Sequence, residues 1–534
     1  MFSLGSNFNN KNELNMNTKN FYKTGLAFAS MLFVFSSCEK QLEINPRQSI
    51  DASTALTSKD AIDATITAVY ATYKSARLYG RDLIAIPEVL ADNATATNKS
   101  GRLLSEANNI YGAHFTGSVW TNSYLAINQI NNSIDAINKG DILPKPTQSD
   151  LDRWMGQLLF LRGLYYFDLV RVYGYIPGAV VTANDRGGVP LSLKGIASFD
   201  SAVVWKPSRA PLDTVYAQIT RDLIAAESRL TFPGLGANLA NKAAAQALLS
   251  RVYLYNKNYT ESKKWSDAVI ALAGSRLTTT TTFVPQWRVD THNETLFQIR
   301  FATVAENIGV NEALQTSFST LVNIGNQAST GGWGDVVPSL TLLTDLGITL
   351  TGGNSSTGVY GLNHTIAARS TDVRNQLFEP GTAGRGNIKV ECTKYLGKNG
   401  QINLDNVPVL RIAEAYLNRA EVQATAGSSQ LNLAGALADL KTIKSRRYTD
   451  YTGSAAEAAD NAMTQAQLLE EILRQRRIEF AFEGHRFFDL KRLGRDLVKG
   501  PHFNNVAFTD LRILPAIPQG EIDGNPNLKQ NFGY

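Results

Sequence analysis

The sequence reads Gly484-His-Arg-Phe-Phe-Asp489-Leu-Lys-Arg492 near its C-terminal end, and Gly163-Leu-Tyr-Tyr-Phe-Asp168-Leu-Val-Arg171 in its first third. Both segments fit the pattern Gly-x-x-aromatic-Phe-Asp-Leu-x-Arg. An aspartate and an arginine three positions apart share a helix face and can form an ion pair. The leading glycine lets another backbone or a bulky side chain approach closely. The pattern therefore predicts two packed helical segments, each with its own ion pair.

Charged residues continue upstream of the second segment, and they fall on an apolar helical stripe. The stripe consists of Leu469, Leu473, Phe480, Phe487 and Leu490, and Arg476 and Glu483 lie on it. Because an unpaired buried charge is costly, we expect an internal ion-pair network that locks helices together. The alternative is an acid–base site formed by Glu479, Glu483, His485 and Asp489. The alternating signs of charge favour pairing, since catalysis usually needs an unbalanced carboxylate.

Helical periodicity recurs through the rest of the chain. Residues 211–230 place apolar side chains on one face, with Asp213 as a candidate cap. Residues 241–272 are typical of a helical hairpin that loosely resembles a tetratricopeptide unit, and residues 408–445 give another pair. Further helices are expected at 58–75, 119–138 and 150–173, whereas strand-like alternation is short, as at 295–301. The predicted fold class is mostly α, with a tetratricopeptide-like helical-hairpin scaffold.

Long irregular segments separate these helices. Residues 92–118 and 177–210 are rich in loop-forming residues, and residues 325–406 form the longest such segment, within a loop-rich portion of about 280–406. Loops of this length inside a compact domain are uncommon and often functional. We therefore expect a helical scaffold that presents irregular loops.

The N-terminus has the features of a secretion signal. Lys19 and Lys23 precede an apolar stretch at 25–35, which ends in Ser36-Ser37-Cys38. The stretch is too short to span a bilayer. Cleavage before Cys38 would follow the bacterial lipoprotein pattern, with a lipid on its thiol; the alternative is an ordinary signal cut elsewhere. We interpret residues 1–37 as the signal peptide. Because Met16 would be a more usual translation start than Met1, we interpret residues 1–15 as the product of a mis-assigned start.

Composition and motifs exclude several functions. The hydrophobic content of 43% is ordinary for a globular chain, and a net charge of +5 over 534 residues is no footprint for nucleic acid. We find no nucleophile elbow, phosphate loop or zinc-protease motif, and the five histidines have no ligand spacing. We expect Cys392 to be a small buried hydrophobic residue and not a nucleophile, because no residue near it in sequence would act as the base that activates its thiol.

Five features together resemble the SusD/RagB family of outer-membrane nutrient-binding lipoproteins. They are Cys38, the segments 160–174, 411–421 and 476–495, and the tail Leu514-Pro-Ala-Ile-Pro518-Gln-Gly-Glu-Ile-Asp523-Gly-Asn-Pro526-Asn-Leu-Lys-Gln-Asn. The resemblance covers residues 38–534 as one SusD-like domain and is weakest between about 300 and 400.

The resemblance implies a binding protein without catalysis or a cofactor, in which the tetratricopeptide-like scaffold carries a loop-rich, irregular, ligand-facing part. It implies a lipid-anchored protein on the outer membrane, facing the cell exterior. Its partner would be a TonB-dependent, SusC-like transporter barrel, over which the protein would act as a hinged lid. The usual ligand is an oligosaccharide. Alternatives are a peptide or other non-glycan binder, a surface glycosidase, and a scaffold that only braces the transporter.

Sugar capture needs exposed aromatic rings beside polar groups, so loop aromatics are the candidates. Trp333 lies between glycines, where no helix would hide it. Tyr111 and Phe115 lie in the loop after Asn93. Tyr79 and Arg81 precede this loop, in a region where the family often places ligand contacts.

The ligand-binding candidates are thus Trp333, Tyr111, Phe115, Tyr79, Arg81 and Asn93. Trp205 and Tyr360 are weaker candidates. Four tryptophans, Trp120, Trp154, Trp265 and Trp287, are expected in the core.

Overall fold

A computed structural model describes residues 55–116, 118–231, 236–351, 363–398, 400–499 and 504–534. The predictions for the signal peptide, for lipidation of Cys38 and for Tyr360 lie outside these residues. No helix within the described ranges has the length and apolar character needed to cross a bilayer.

Helices dominate the described part of the chain. In chain order they are α1 (Lys59–Thr72), α2 (Asp82–Leu90), α3 (Leu104–Ala107), α4 (Ser118–Lys139), α5 (Gln148–Tyr173), α6 (Phe199–Val204), α7 (Leu212–Arg229), α8 (Lys242–Tyr255), α9 (Tyr259–Ala273), α10 (Phe283–Gln286), α11 (Leu314–Phe318), α12 (Leu340–Asp345), α13 (Ile412–Ala424), α14 (Leu433–Ser445), α15 (Ala455–Asn461), α16 (Gln465–Glu479), α17 (Arg486–Arg492) and α18 (Gln519–Gly524).

Short strands join distant loops in antiparallel pairs. The pairs are β1 (Ala94–Ala96) with β3 (Val336–Pro338), β2 (Thr295–Ile299) with β8 (Val407–Arg411), β4 (Ile348–Thr351) with β5 (Thr365–Arg369), and β6 (Phe378–Pro380) with β7 (Val390–Cys392). In the loop-rich portion of about 280–406, the described residues (280–351, 363–398 and 400–406) therefore form short elements. Its strands serve as clamps between loops and do not build a large sheet.

The long helices pack one on the next and bury their apolar faces in series. Helix α1 contacts α4, α4 contacts α5, α5 contacts α7, α7 contacts α8, α8 contacts α9, and α9 contacts α13, which also packs on α14 and α16. The two hairpins expected at 241–272 and 408–445 are α8–α9 and α13–α14, but residues 408–411 belong to strand β8, so the helical part of the second begins at Ile412. The mostly α, tetratricopeptide-like fold class is confirmed.

Helix starts follow side-chain capping where the chain supplies it. Thr147 forms a capping box with Asp150 at the start of α5, because each side chain accepts from the other's backbone N–H. The prediction that Asp213 caps α7 is wrong: Pro211 occupies the N-cap, and Asp213 lies in the first turn. A carboxylate there still interacts favourably with the positive end of the helix dipole.

The apolar stripe of residues 469–490 does not form one helix. Helix α16 ends at Glu479, α17 begins at Arg486, and Phe482 and Gly484 between them have φ values of 64° and 79°. The Gly484 N–H donates to the buried carboxylate of Glu88 at 2.9 Å. This left-handed turn therefore brings the chain against α2 and reverses it.

Both motif glycines allow the close approach that the pattern predicts. A Cβ on Gly163 would lie 2.9 Å from the side chain of Leu223 on α7. A Cβ on Gly484 would overlap the backbone carbonyl of Leu83 on α2. Each glycine thus fits a neighbouring helix where no larger residue has room.

Replacing Gly484 with alanine is expected to destabilise the fold by at least about 2 kcal/mol, from left-handed strain plus overlap with backbone. Gly453→Ala is the matched control, because Gly453 has a φ of 78° but open space around it. It should cost only about 1 kcal/mol. Urea unfolding of both variants measures the difference, and equal losses would contradict the contact with Leu83.

Buried ion pairs connect the helices, as the charge pattern predicts. Within the two motif segments, Asp168 pairs with Arg171 at 2.6 Å and Asp489 with Arg492 at 2.8 Å. The centre of the network is Glu479, whose carboxylate accepts from three arginine side chains. The expected internal network is therefore confirmed.

The core surrounds these pairs within the compact unit Leu56–Tyr534. Trp120, Trp154, Trp265 and Trp287 are all buried, as expected. Cys392 is fully buried on β7, and burial raises the pKa of its thiol to about 12. The prediction that Cys392 is a small buried hydrophobe is confirmed.

Candidate functional site

Trp333 lies in a loop that is fixed by backbone hydrogen bonds. The backbone N–H of Trp333 donates to the Thr316 carbonyl at 3.0 Å, and the backbone N–H of Gly334 donates to the same oxygen at 2.9 Å. The flanking glycines make this possible: a Cβ on Gly332 would overlap the Ser319 carbonyl, and Gly334 has a φ of 60°. The glycines flanking Trp333 therefore set the path of the loop backbone and also the exposure of the Trp333 side chain.

The β1–β3 pair brings a second loop to the same place. Just after β1, the N–H of Thr97 donates to the Asp335 carbonyl and its hydroxyl donates to the Gly334 carbonyl, both at 2.8 Å. Ser100 donates to the Asp335 carboxylate at 2.6 Å. Two segments more than 200 residues apart in sequence are thus joined beside Trp333.

Two guanidinium groups and an amide surround the half-buried indole of Trp333. The Arg385 guanidinium carbon lies 3.8 Å from the ring centroid, and that of Arg102 lies at 5.8 Å. The indole N–H donates to the Asn311 side-chain oxygen at 3.3 Å. We call Trp333, Arg385, Arg102 and Asn311 the Trp333 platform.

A buried carboxylate supports the platform from below. Glu391 on β7 accepts from the backbone N–H of Thr320 at 2.6 Å and from the Ser319 hydroxyl at 3.1 Å. Burial raises the pKa of Glu391, although Lys99 at 3.4 Å opposes that effect. A Cβ on Gly334 would lie 2.6 Å from this carboxylate, so Glu391 holds the loop and does not face solvent.

Tyr111, the second aromatic candidate, also lies at the surface. Its side chain is 54% exposed and stacks on Tyr534 with ring centroids 4.7 Å apart. Tyr111 thus keeps open ring surface, but beside a cavity whose lining residues do not include Trp333.

The other four candidates have structural roles in place of an open surface. Tyr79 is buried and donates to Asp168 at 3.1 Å, and Phe115 is buried against Phe488. Arg81 is buried in ion pairs with Asp82 and Glu312, the first at 2.7 Å. This geometry argues against ligand contacts for Tyr79, Phe115 and Arg81.

Asn93 is equally occupied. Its amide donates to Glu88 at 2.8 Å, and its oxygen accepts from Arg477 at 2.8 Å, which ties the first long loop to α16. The geometry therefore leaves Trp333 and Tyr111 as the candidates with accessible ring surface.

The acid–base alternative around Glu479, Glu483, His485 and Asp489 does not form an open site. All four side chains are buried. Glu483, for example, accepts from Arg411 at 2.8 Å and from Lys394 at 2.6 Å. Among the described residues, no cluster of three metal-ligating side chains occurs.

A second concave region, the Trp205 groove, was only weakly signalled by the sequence. This cavity of about 380 Å³ is lined by Trp120, Tyr124, Leu125, Trp205 and Leu528. Trp205 follows α6, whose last residue Val204 is 77% exposed. The exposed apolar run at 203–205 was the available signal for this surface.

The platform polar groups were also missed. Arg385, Arg102 and Asn311 come from three separate loops that meet at Trp333 only in the folded chain. No local sequence pattern marks such a meeting point.

Comparisons with known proteins agree on the family. A profile described as "SusD family" matches residues 388–534, and one described as "Starch-binding associating with outer membrane" matches residues 40–254. The chain is 24% identical to SusD-like protein P2 of Formosa agariphila over 559 residues, which covers 95% of this chain and 99% of that protein. It is 29% identical to the starch-binding protein SusD of Bacteroides thetaiotaomicron over 136 residues, which covers 24% of this chain and 22% of SusD.

Solved structures show the same architecture. A SusD superfamily protein from Bacteroides thetaiotaomicron superposes with a TM-score of 0.72 at 25% identity, covering 89% of this chain and 99% of that one. A putative sugar binding protein from Bacteroides vulgatus gives a TM-score of 0.71 at 24% identity, covering 90% and 100%. With these matches at both ends and along the whole fold, the chain belongs to the SusD/RagB family.

Proposed function

We propose that this protein is a cell-surface lipoprotein, anchored through Cys38, that captures an oligosaccharide and delivers it to a TonB-dependent outer-membrane transporter as its lid subunit. The observation that carries the ligand half is the Trp333 platform. It combines an aromatic ring, on a loop that is fixed by backbone hydrogen bonds, with guanidinium and amide groups from three other loops.

The chemistry of the platform suits a sugar. The flat indole of Trp333 can cover the apolar face of a pyranose ring, while Arg102 and Asn311 can bond its hydroxyls. Arg385 already stacks on the indole and can limit its movement. Such an arrangement binds and orients a ligand, and we propose no catalytic step.

Two of the comparisons support a glycan as the ligand class. One matching profile is described as starch-binding, and the Bacteroides thetaiotaomicron relative is itself named a starch-binding protein. The proposed transporter partner and the proposed anchoring at the cell surface rest on the family resemblance and on the N-terminal lipoprotein pattern.

The test is binding of the purified mature protein to a glycan panel and, separately, to a peptide pool. Saturable binding to at least one glycan is expected, with no release of reducing sugar. Saturable peptide binding with no glycan signal would contradict the oligosaccharide proposal in favour of the peptide alternative. Product release from a polysaccharide would favour the glycosidase alternative.

We assign the proposed contact with the transporter to a different surface from the Trp333 platform. Leu125, Val203 and Val204 are 60%, 48% and 77% exposed around the Trp205 groove. Clustered exposed apolar side chains mark protein interaction sites. We propose that this face contacts the transporter, because a lid must hold a large partner while leaving its ligand loops free.

Val204→Glu is expected to reduce the amount of transporter that co-purifies with the tagged protein by about tenfold or more, which corresponds to ~1.4 kcal/mol. The introduced glutamate would lose the water that solvates its carboxylate when the contact forms, which opposes binding. Val304→Glu is the control. Val304 is also an exposed valine, but neither it nor its neighbours in sequence line the groove, whereas Val204 directly precedes the lining residue Trp205. Unchanged co-purification with Val204→Glu would place the transporter contact elsewhere.

A further inference from the structure

A second cavity lies beside Tyr111. Its volume is about 400 Å³, and its walls come from the loop that carries Tyr111 and His114 and from C-terminal residues that include Ile517, Gln519 and Tyr534. Cavities above roughly 300 Å³ are in the range that binds small ligands. We call it the Tyr111 pocket.

The two tyrosine rings of the pocket are held in place. They stack with an interplanar angle of 16°, and both hydroxyls donate to backbone carbonyls: Tyr111 to Gly533, and Tyr534 to Leu514 at 3.1 Å. The side chain of Tyr111 nevertheless stays 54% exposed. The pocket therefore offers a flat ring whose orientation is fixed in advance.

His114 is the unusual group of the pocket wall. It is buried, yet neither of its ring nitrogens has a hydrogen-bond partner. Burial lowers the pKa of His114 to about 3, so the ring is neutral at physiological pH, with one donor and one acceptor. Leaving a buried polar group without a hydrogen-bond partner is unfavourable, and the chain tolerates two such groups at this one residue.

The other polar groups nearby are already paired. The side chain of Gln530 bonds both backbone groups of Ile517, accepting at 2.7 Å and donating at 2.9 Å. The amide of Gln519 donates to Asp523 at 2.7 Å. His114 thus stands out among them as the unsatisfied polar side chain beside the cavity.

The loop that carries His114 is also strained. Asn109 and Phe115 have φ values of 49° and 43°, which is rare for a residue as bulky as phenylalanine. Distant groups hold this shape: Tyr173 donates to the Phe115 carbonyl at 3.2 Å, and Asn109 donates to the Asn504 carbonyl at 2.9 Å. Backbone strain of this kind is typical of ligand-binding segments.

We infer that the Tyr111 pocket is a second saccharide site, in which one sugar ring stacks on Tyr111 and a sugar hydroxyl bonds the imidazole of His114. The sugar hydroxyl, as donor and acceptor, supplies the partner that the ring lacks. The ligand class rests on the proposed function, but the site does not depend on the Trp333 platform.

The experiment follows the ring signals of the histidines by NMR in the mature protein with isotope-labelled histidine. The probes are maltohexaose, cellohexaose, mannohexaose and xylohexaose. We expect at least one to shift the His114 signals saturably, both in the wild type and in Trp333→Ala. His114→Asn assigns the signals, and buried His292, which is not part of the pocket, is the internal control.

Tyr111→Ala should weaken binding at this pocket by about tenfold or more, whereas Tyr111→Phe, which keeps the ring, should retain it. Thermal unfolding checks that both variants fold.

The outcomes separate the two proposals. A sugar that binds the wild type but not Trp333→Ala in calorimetry, and that leaves the His114 signals unmoved, would overturn the second site alone. A His114 shift that persists in Tyr111→Ala at unchanged affinity would also overturn it. No response at either place to any of the four sugars would count against both proposals.

Discussion

Replacing Glu479 with glutamine is expected to destabilise the protein by about 3–5 kcal/mol, because it leaves buried arginines without their counter-charge. The Glu479 carboxylate accepts from Arg447 at 2.9 Å through both oxygens, from Arg411 at 2.9 Å and from Arg374 at 3.2 Å. A glutamine would keep one acceptor oxygen and would turn an N–H₂ group toward a guanidinium.

The electrostatics of the site point the same way. Burial alone would raise the pKa of Glu479, but the nearby Arg447 and Arg411 outweigh burial and hold this pKa well below its usual range. A carboxylate whose folded pKa lies below its unfolded value contributes stability above the unfolded pKa and loses it as the pH falls. The difference between wild type and Glu479→Gln should therefore narrow below about pH 4.3.

Glu470→Gln is the matched control on the same helix, α16. Glu470 also pairs with an arginine, Arg495, but both side chains are exposed. Exposed pairs contribute about 0–1 kcal/mol, so this variant should unfold almost as the wild type does. Chemical denaturation of both variants measures the contrast. A loss below about 1 kcal/mol for Glu479→Gln would mean that the network relaxes or hydrates without its central carboxylate.

Trp333→Ala is expected to weaken oligosaccharide binding by roughly 30-fold or more, or about 2 kcal/mol, as for a hot-spot tryptophan. The substitution removes the ring that Arg385 and Asn311 position, while the loop backbone can keep its bonds to Thr316. Binding to the best glycan of the panel, measured by calorimetry, checks the loss. Thermal stability should change little, since the indole is only half-buried.

Trp205→Ala is the control for this prediction, because it removes a comparably accessible loop tryptophan, 37% exposed, from a different surface. Glycan affinity should stay within about twofold of the wild type. Equal losses in the two variants would place the main sugar contact outside the platform, and no loss in Trp333→Ala would remove Trp333 from the proposed site.

Local periodicity explains why most helices could be predicted. Segments such as 150–173 and 241–272 carry their own apolar faces and caps, so α5, α8 and α9 follow from neighbouring residues. The break before Gly484 could not be foreseen, because it depends on Leu83, about 400 residues earlier in the chain. The pattern of charges likewise predicts pairing but not partners, such as Arg447 with Glu294, 153 residues apart.

The candidate site was harder to predict, for a physical reason. Exposure of Trp333 follows from its glycine neighbours, which is a local property. Burial of Tyr79 depends on Asp168 and Arg171 packed against it, and burial of Asn93 depends on Glu88 and Arg477. Loop position in the sequence therefore indicates accessibility only where no distant element covers the loop.

The burial of Cys392 has a practical consequence for site-specific labelling of this protein. The chain has two cysteines, and the thiol of Cys392 is enclosed and protonated at neutral pH. If residue 38 carries its lipid or is cut away, the protein offers no reactive thiol of its own. A single cysteine placed on α6 could then take a fluorophore or spin label selectively. With a second label on the proposed transporter partner, the distance between the two proteins could be followed in real time.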